Sequence, residues 1–273
     1  MMDLKGKNQI GRFRKIAEKL TSEIAEFEGV AGIVIAGGLE RGFADRHSDV
    51  DLLVFLRKKS QVLRNRILKV GSEEQKSSGV DVDLEAHFLE DFRRRRMNEI
   101  LKWDLCHTQV VFDPQGEIKR LLRQKTKVPR SFWIRRIVVC SEYVKWYCCP
   151  PREDVGTIAE AWVERGDVMS AHYCVNYGLD LIVNIVYALN REFVPSPKWK
   201  FFYSYSLTWL PNDYSRLLKE ASRTSALSVK NLKRRLSALR TLWQEILPKI
   251  EKETGLTPAS MSKYFVEKVL CQA

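Results

Sequence analysis

The sequence predicts an α+β protein in which a mixed sheet flanked by helices is followed by an all-α helical bundle. The segments that are predicted to be strands, because they are short and apolar or alternate between polar and apolar residues, lie before Asp113-Pro114. From Val128-Pro129 onward, apolar residues recur with the period of a helix. A chain of 273 residues is long for one domain and comfortable for two. We therefore expect a first domain over residues 1–127 and a second over residues 128–273.

The first domain is predicted to begin with an amphipathic helix, because apolar residues recur at helical spacing from Ile10 onward. Two apolar strands follow, separated by a pair of glycines and a short helix or turn. A third strand alternates between polar and apolar residues. The predicted order is helix 10–28, strand 29–38, short helix or turn 39–48, strand 49–56, helix and loop 57–77, strand 80–88, a helical segment 89–105 and strand 108–113.

The second domain is predicted to consist of helices. The segments CCPPRED and FVPSPKW separate several of them, because proline interrupts a helix. The predicted helices cover residues 130–147, 155–164, 167–191, 199–209, 213–222, 228–253 and 257–270.

Charge favours anionic partners. Lysine and arginine outnumber acidic residues by 46 to 34, which gives a net charge of +12 and a pI near 9.4. Such a surface attracts nucleotides, anionic small molecules or nucleic acid without distinguishing among them. The chain lacks a run of eighteen uncharged apolar residues, and its first residues lack the apolar stretch of a signal peptide. We expect a cytoplasmic protein with no membrane association, whose six cysteines are reduced thiols.

The most informative residues are two aspartates at the start of the second predicted strand. Residues two apart on a strand share a face, so Asp49 and Asp51 project together with about 7 Å between their Cα atoms. The strand continues with apolar residues from Leu52 to Phe55, which predicts burial on both faces. The two carboxylates are therefore expected where a buried strand meets an opening.

Two neighbouring carboxylates repel each other unless they share a proton, bind a cation or stay hydrated. Mg²⁺ prefers oxygen ligands and is often held by one or two carboxylates together with substrate phosphates. A third acid on an adjacent strand would complete a two-metal site, which activates an attacking oxygen and stabilises a leaving one. The third predicted strand offers Asp81, Asp83 and Glu85 on one face, and the residues alone leave the choice open.

A pair of glycines, Gly37 and Gly38, ends the first predicted strand. Glycine lets the backbone approach a phosphate closely, and free N–H groups at the start of a following helix attract anions. Arg41 is close enough in sequence to add positive charge, and Ser48 is expected either to cap the turn or to donate to a phosphate. The combination predicts that phosphates bind beside the metal.

The segment GGLERGFADRHSDVDLLVF resembles the signature of the nucleotidyltransferase fold of the DNA polymerase β-like enzymes. That signature is an apolar residue, glycine, then glycine or serine, a spacer, and Asp-apolar-Asp. The resemblance implies that Asp49 and Asp51 bind Mg²⁺ and that Gly37 and Gly38 contact the triphosphate. It also implies a third acid on a later strand, for which we choose Asp83.

A second segment, ALNREFVPSPKW, resembles part of the helical domain in relatives of small-molecule, antibiotic-type nucleotidyltransferases. Together the resemblances imply a Mg²⁺-dependent enzyme that transfers NMP from an NTP to a hydroxyl of a small-molecule acceptor and releases pyrophosphate. ATP is the expected NTP. The helical domain is expected to bind the acceptor and to close over it.

The predicted helix 167–191 is largely apolar but carries a polar stripe that recurs every four residues. The members of the stripe are His172, Asn176, Asp180 and Asn184. A solvent face would more often carry lysine and glutamate, so the stripe predicts either an acceptor-binding wall or hydrogen bonds between helices. In the first case His172, Asn176 and Asp180, together with Glu85, contact the acceptor.

Two basic features leave other functions open. The four arginines 93–96 would span about 300° of a helix, which allows some of them to contact an anion or nucleic acid. Lys198 directly follows a proline and is a candidate for contacting the triphosphate. One alternative is a nucleotidyltransferase that acts on RNA or on a protein partner, as nucleotidyltransferase antitoxins do. The other is a non-catalytic nucleotide-binding protein.

Overall fold

The structure is a computed structural model that describes residues 6–152 and 154–272. Contacts between Cα atoms divide these residues into two compact units, with the division between Lys127 and Val128. None of the described helices is both long and apolar enough to cross a lipid bilayer.

The N-terminal unit contains four strands and six helices among its described residues. They follow one another as α1 (Ile10–Ala25), β1 (Val30–Ile35), α2 (Gly37–Glu40), β2 (Val50–Leu56), α3 (Gln61–Ser78), β3 (Val82–Phe88), α4 (Leu89–Arg94), α5 (Glu99–Cys106), β4 (Gln109–Phe112) and α6 (Glu117–Thr126). The strands form one sheet in the order β3-β2-β1-β4. Strand β1 is antiparallel to both neighbours, whereas β2 and β3 are parallel. This mixed sheet flanked by helices confirms the predicted fold class.

The central strands of the sheet are buried on both faces. On one face, Ile33 and Leu52 pack in a cluster with apolar residues of α1 and α3. On the other, Val34 and Phe55 pack with residues of α4, α5 and α6. Helices on both sides explain why β2 is almost entirely apolar, since neither face is open to water. The one polar side chain of β2 is that of Asp51, next to the first residue of the strand.

The C-terminal unit contains helices and no strand among its described residues. The helices are α7 (Arg130–Tyr147), α8 (Ile158–Glu164), α9 (Val168–Leu189), α10 (Pro197–Ser204), α11 (Tyr214–Ser222), α12 (Val229–Thr254) and α13 (Pro258–Lys268), followed by a 3₁₀ turn at Leu270–Gln272. Helix α9 is central, because it contacts α7, α8, α10, α11 and α12. Its residues Ile182, Val183, Ile185 and Val186 are fully buried. The predicted helical region is confirmed.

The segment 89–105, for which the sequence predicted helical structure, forms two helices and not one continuous helix. The chain is extended at Arg95, with φ −62° and ψ 126°, so that α4 and α5 are separate helices. Lys125 Nζ donates to the carbonyl oxygens of Arg93 and Arg95, at 2.5 and 2.7 Å, and holds the backbone at this break. The four arginines 93–96 therefore do not lie on one continuous helix.

The helix predicted over residues 199–209 also has different limits. It begins at Pro197, because proline fits the first turn of a helix, and it ends at Ser204. Beyond it, the N–H of Trp209 donates to the side-chain oxygen of Asn190 at 2.7 Å instead of to a helical carbonyl.

Candidate active site

Asp49 and Asp51 lie where the chain enters β2. Asp49 is exposed and directly precedes the strand, whereas Asp51 is its second residue and is half-buried. The N–H of Ala36 donates to the carbonyl oxygen of Asp51 at 3.0 Å, and the N–H of Val50 donates to that of Asp81 at 2.9 Å. Neighbouring strands and loops therefore fix the backbone that carries the two carboxylates.

Strand β3 brings a third acid to Asp51. The parallel register of β2 and β3 pairs Asp51 with Asp83. Burial raises the pKa of Asp51 to about 7, and the negative charges of Asp49 and Asp83 add to the shift, whereas Arg41 opposes it. Burial, Glu85 and Asp49 also raise the pKa of Asp83. The structure thus brings Asp49, Asp51 and Asp83 into one electrostatically coupled group, which we call the carboxylate group.

The other two acids that the sequence left open are held by neighbours. Asp81 precedes β3 and accepts a hydrogen bond from Nε2 of Gln75 at 3.2 Å. Glu85 Oε2 lies 2.8 Å from Nε2 of His87, and this hydrogen bond lowers the pKa of the Glu85 carboxyl. Of the three candidates, Asp83 is the one paired with Asp51 across the strands.

Gly37 allows the Asp51 carboxylate to lie against the backbone of the turn after β1. Its φ is +65°, and a Cβ atom built there would lie 1.5 Å from Oδ2 of Asp51. A side chain at this position would therefore collide with the carboxylate and strain the backbone. At Gly38, a Cβ atom would approach the carbonyl oxygen of Phe43 to 2.9 Å. Helix α2 begins at Gly37 itself, rather than after the two glycines as predicted, and has only four residues.

Arg41 and Ser48 belong to the segment between α2 and β2. The guanidinium carbon of Arg41 lies 5.3 Å from the ring centroid of Trp103, which is a cation–π contact. The Ser48 hydroxyl accepts a hydrogen bond from the N–H of Asp45 at 3.0 Å and closes the turn before β2. Ser48 thus has the capping contact that was one of its two predicted roles, and its contact with phosphate stays a prediction.

Asp45 and Trp103 were not among the predicted site residues, although both contact this segment. The Asp45-x-x-Ser48 spacing is typical of a turn closed by side chains and could have indicated the contact. Trp103 had no comparable signal, since nothing in its own segment connects it with Arg41.

In the C-terminal unit, one end of the polar stripe on α9 bonds to a buried arginine of α12. The side chain of Arg235 is 1% exposed and donates to Nδ1 of His172 at 2.8 Å, to Oδ1 of Asn176 and to the carbonyl oxygen of Ala221 at 2.6 Å. Nε2 of His172 lies 3.2 Å from the carbonyl oxygen of Ser228, and burial lowers the pKa of His172. Hydrogen bonding between helices, one of the two predicted roles of the stripe, is therefore present here.

The other end of the stripe bonds to α10. Asp180 Oδ1 lies 2.5 Å from Nζ of Lys200, and the Asp180 side chain is 45% exposed. Nδ2 of Asn184 lies 3.5 Å from Asp180 Oδ2. Lys198 is exposed at the start of α10, with its Nζ 5.9 Å from the ring centroid of Trp199. Asp180 and Lys198 thus stay accessible candidates for binding roles.

The carboxylate group offers the oxygen donors that a hard divalent cation prefers. The repulsion of Asp49 and Asp83 contributes to the rise in the Asp51 pKa, and a bound cation would relieve that repulsion. As the side chains stand, no three His, Cys, Asp or Glu residues in the described part of the chain are arranged to enclose a metal ion. The donor chemistry of the three carboxylates fits Mg²⁺.

Comparison with known families matches residues 14–105 to the nucleotidyltransferase domain and residues 99–200 to the Domain of unknown function (DUF4037). No curated protein matches the sequence. The family match over residues 14–105 supports the assignment of the N-terminal unit to the nucleotidyltransferase superfamily and of the protein to the nucleotidyl-transferring class of enzymes.

Several solved structures are similar to the chain. One is a nucleotidyltransferase-like protein from Exiguobacterium sibiricum, with a TM-score of 0.42, 14% identity, and coverage of 88% of this chain and 77% of that one. A toxin-antitoxin with AMP-PNP has a TM-score of 0.31, 13% identity, and coverage of 49% of this chain and 97% of that one. The complex of a tri-AMPylated Shewanella oneidensis HEPN toxin with its MNT antitoxin has a TM-score of 0.29, 14% identity, and coverage of 48% and 94%. The assignment rests on the family match and not on these remote likenesses.

Proposed function

We propose that the protein transfers the NMP group of an NTP, ATP, to a hydroxyl of a small-molecule acceptor, and that Asp49, Asp51 and Asp83 hold the Mg²⁺ that this reaction needs. One observation carries the proposal. Three carboxylates meet at the entry of a buried strand, beside a glycine turn, and burial with mutual repulsion raises the pKa of Asp51 to about 7. Such a group is unfavourable unless it binds cations, which is a reason for it to be a metal site.

The reaction is an in-line displacement at the α-phosphorus. The acceptor oxygen forms a bond to the α-phosphorus, the bond from that phosphorus to the bridging oxygen breaks, and pyrophosphate leaves with the electron pair. Mg²⁺, when bound, neutralises phosphate charge and makes the acceptor hydroxyl more acidic. Asp83 is proposed either to hold a metal or to receive the hydroxyl proton.

The glycine turn and its basic neighbour are proposed to position the triphosphate. Because Gly37 has no side chain, Asp51 lies against the turn, and the backbone of the turn is proposed to contact a phosphate beside this carboxylate. Arg41 acts on the electrostatics of this group already, since its charge opposes the rise in the Asp51 pKa. Gly38, Ser48 and Lys198 are proposed as further phosphate contacts.

The C-terminal unit is proposed to bind the acceptor, with Asp180 as the best candidate in the polar stripe. Asp180 is partly exposed, and its ion pair with Lys200 orients the carboxylate. His172 and Asn176 are less suited, since both are already bonded to Arg235. Glu85, which lies on β3 beyond Asp83, is a second acceptor candidate.

A macromolecular acceptor is favoured by one feature of the N-terminal unit. Arg94, Arg95 and Arg96 are exposed on a segment whose backbone is held by Lys125. Arg95 is close enough to Glu85 to lower the pKa of that carboxyl. Transfer to a hydroxyl of RNA or of a protein partner is therefore the second candidate function.

The test is transfer of label from α-³²P-labelled NTPs, with Mg²⁺, to separate pools of metabolites, RNA and protein. Label in the metabolite pool supports the first proposal, and label in RNA or protein supports the second. The Asp49→Ala, Asp51→Ala double variant should lose transfer by at least about 10³-fold while keeping its circular dichroism spectrum. Undiminished transfer by the pure double variant would contradict the mechanism.

A further inference from the structure

Positive charge in the N-terminal unit is concentrated in one stretch of the sequence. Residues 93–127 contain ten lysines and arginines and four acids, so that about an eighth of the chain carries half of its net charge of +12. Like charges that are crowded in this way repel one another in the folded chain. A stretch that keeps such a charge indicates a partner of the opposite sign.

The outward face of α6 is basic. Ile118, Leu121 and Leu122 are buried against the sheet, which leaves the opposite side of the helix in water. The residues of α6 that are exposed on that side are Lys119, Arg120, Arg123 and Gln124, and none of them is an acid. Lys119 and Arg123 are one turn apart, which is about 6 Å along the helix axis.

The chain that links α4 to α5 continues this basic face with three exposed side chains, those of Arg94, Arg95 and Arg96. It is fixed along α6 at both ends of that helix. Arg93 contacts Glu117 in the first turn of α6. Lys125, in the last turn, donates to the carbonyl oxygens of Arg93 and Arg95 at 2.5 and 2.7 Å. The exposed cations of the two segments form what we call the basic surface, which consists of Arg94, Arg95, Arg96, Lys119, Arg120 and Arg123.

The protein itself does not neutralise the basic surface. Within the residues that the structure describes, none of the six cations is in an ion pair. The two acids at the start of α6 have other partners. Glu117 bonds to Arg57 and Arg93, and the Asp113 carboxylate accepts hydrogen bonds from three backbone N–H groups of α6. Six charged side chains are therefore available to a partner.

The residue types and their placement favour a chain of phosphates over one small anion. Five of the six cations are arginines, and a planar guanidinium donates two parallel hydrogen bonds to a phosphate. The cations are spread over a helix face and the segment beside it, so one phosphate group cannot contact them all. A polymer that carries one negative charge per nucleotide can follow the whole surface.

An exposed acid lies at one end of the basic surface. The charge of Arg95 helps to lower the pKa of Glu85, which places the two side chains near each other. The Glu85 side chain is 53% exposed, and its Oε2 lies 2.8 Å from Nε2 of His87. A carboxylate repels phosphates and acidic side chains, but it accepts a hydrogen bond from the 2′-hydroxyl of a ribose. This neighbour favours RNA over DNA and over an acidic protein.

We propose that the basic surface binds the sugar–phosphate backbone of an RNA strand, with the six cations on phosphates and Glu85 as the acceptor for a ribose hydroxyl. The proposal concerns binding, which is measured without nucleotide or metal, and it holds whichever acceptor receives the NMP group. A failure to bind RNA leaves transfer to a small molecule standing. A failure to transfer NMP leaves RNA binding standing.

The test is fluorescence anisotropy of a labelled single-stranded RNA of mixed sequence and about 20 nucleotides, titrated with the full chain in EDTA at several NaCl concentrations. We expect saturable binding that weakens steeply with salt, with a Kd at least about threefold lower than for DNA of the same sequence. No saturable binding of the RNA, or equal binding of the DNA, would overturn the proposal. Displacement of the RNA by poly-glutamate at equal charge would also overturn it, because it would indicate an acidic protein partner.

A triple variant of α6 locates the surface. Lys119→Gln, Arg120→Gln, Arg123→Gln removes three exposed cations and keeps side chains that favour a helix. It should raise the Kd for RNA at least about tenfold. It should also lower the slope of log Kd against log salt by about 2, because each neutralised phosphate of a single strand contributes about 0.7.

The matched control removes the same charge from the other side of the sheet. Arg14→Gln, Lys15→Gln, Lys76→Gln changes exposed residues of α1 and α3, which pack on the opposite face from α6. It should change the Kd for RNA by less than about twofold. Equal effects of the two triple variants would reduce the binding to net charge and contradict the proposal. Glu85→Ala should abolish the preference for RNA over DNA, and an unchanged preference would contradict the role of Glu85.

Discussion

The carboxylate group at the entry of β2 and the Arg235 cluster between α9 and α12 are both polar groups in apolar surroundings, but their charges are balanced differently. In the carboxylate group, Asp49, Asp51 and Asp83 repel one another, and the pKa of Asp51 is raised to about 7. In the Arg235 cluster, His172 and Asn176 receive hydrogen bonds from the guanidinium.

This difference distinguishes a candidate functional site from a polar cluster that stabilises helix packing. A polar cluster whose hydrogen bonds are satisfied from within stabilises the packing of its helices and has little to offer a ligand. A cluster of like charges is unstable alone and is stabilised by whatever neutralises it. The unbalanced group is therefore the better candidate for chemistry, although Asp49 and Asp51 in the one and His172 and Asn176 in the other were all selected from the sequence by residue type and spacing.

The largest expected effect concerns Asp83 and its neighbour Asp81. Asp83→Asn should lower kcat/KM for nucleotidyl transfer by about 10²- to 10³-fold, because it removes an acid that is paired with Asp51 across the strands. Asp81→Asn is the matched control and should change the rate by less than about threefold, since Asp81 bonds to Gln75. Initial rates with labelled ATP measure both. Equal losses of kcat/KM in the two variants would contradict the assignment of Asp83 as the third acid.

The second effect is on stability. Arg235→Met should lower the free energy of unfolding by about 2–4 kcal/mol, because His172, Asn176 and the Ala221 carbonyl lose their donor. Lys233→Met, an exposed change on the same helix, should stay within about 0.5 kcal/mol. Urea denaturation followed by circular dichroism gives both values. If Arg235→Met were as stable as the wild type, the hydrogen bonds of Arg235 would not stabilise the fold. His172 and Asn176 would then again be candidates for binding the acceptor.

The third expected effect is a gain in the free energy of unfolding, not a loss. In metal-free protein at pH 8, Asp51→Asn should raise the free energy of unfolding by about 1–2 kcal/mol, because it removes a carboxylate that folding makes harder to ionise. The pKa of Asp51 is about 7 in the fold and 3.8 ordinarily, so the cost grows as pH rises through this interval. The variant and the wild type should therefore converge toward pH 4. Urea denaturation in EDTA at several pH values measures the gap, and a destabilised variant at pH 8 would contradict the electrostatic account.

The smallest effect is the pH dependence contributed by His172. Burial lowers its pKa below the ordinary 6.5, so the unfolded chain takes up a proton before the folded chain does. Stability should consequently fall as pH drops below 6.5, and His172→Gln should show a shallower fall than the wild type. Unfolding free energies between pH 8 and pH 5 give the two slopes. Parallel curves would show that His172 does not contribute.

Local patterns in the sequence predicted most of the elements and selected Asp49 and Asp51 as candidate site residues. The apolar run after Asp51 and the period of the helices are such patterns, although segment 89–105 is broken and the helix predicted over 199–209 has other limits. The choice among Asp81, Asp83 and Glu85 was not local, because it depends on the parallel register that pairs Val50 with Val82 and Asp51 with Asp83. A shift of one residue would turn a different set of side chains toward Asp51.

The partners of the polar stripe were beyond local reasoning for the same reason. The four-residue spacing from His172 to Asp180 was visible in the sequence, but it could not identify Arg235 on a distant helix. Nor could composition indicate the break after α4, where Lys125 bonds to two backbone carbonyls from another helix. Asn98, whose side chain accepts from the N–H of Leu101, was the available sign that a new helix starts there.

Position 37 offers a way to separate geometry from charge in this enzyme. A single methyl group there would occupy the space of the Asp51 carboxylate oxygen 1.5 Å away, yet Gly37→Ala leaves every ionisable group in the chain unchanged. The wild type and the variant would have the same ionisable residues. A difference between them in cation binding or in nucleotidyl transfer would therefore report the position of the Asp51 carboxylate oxygen.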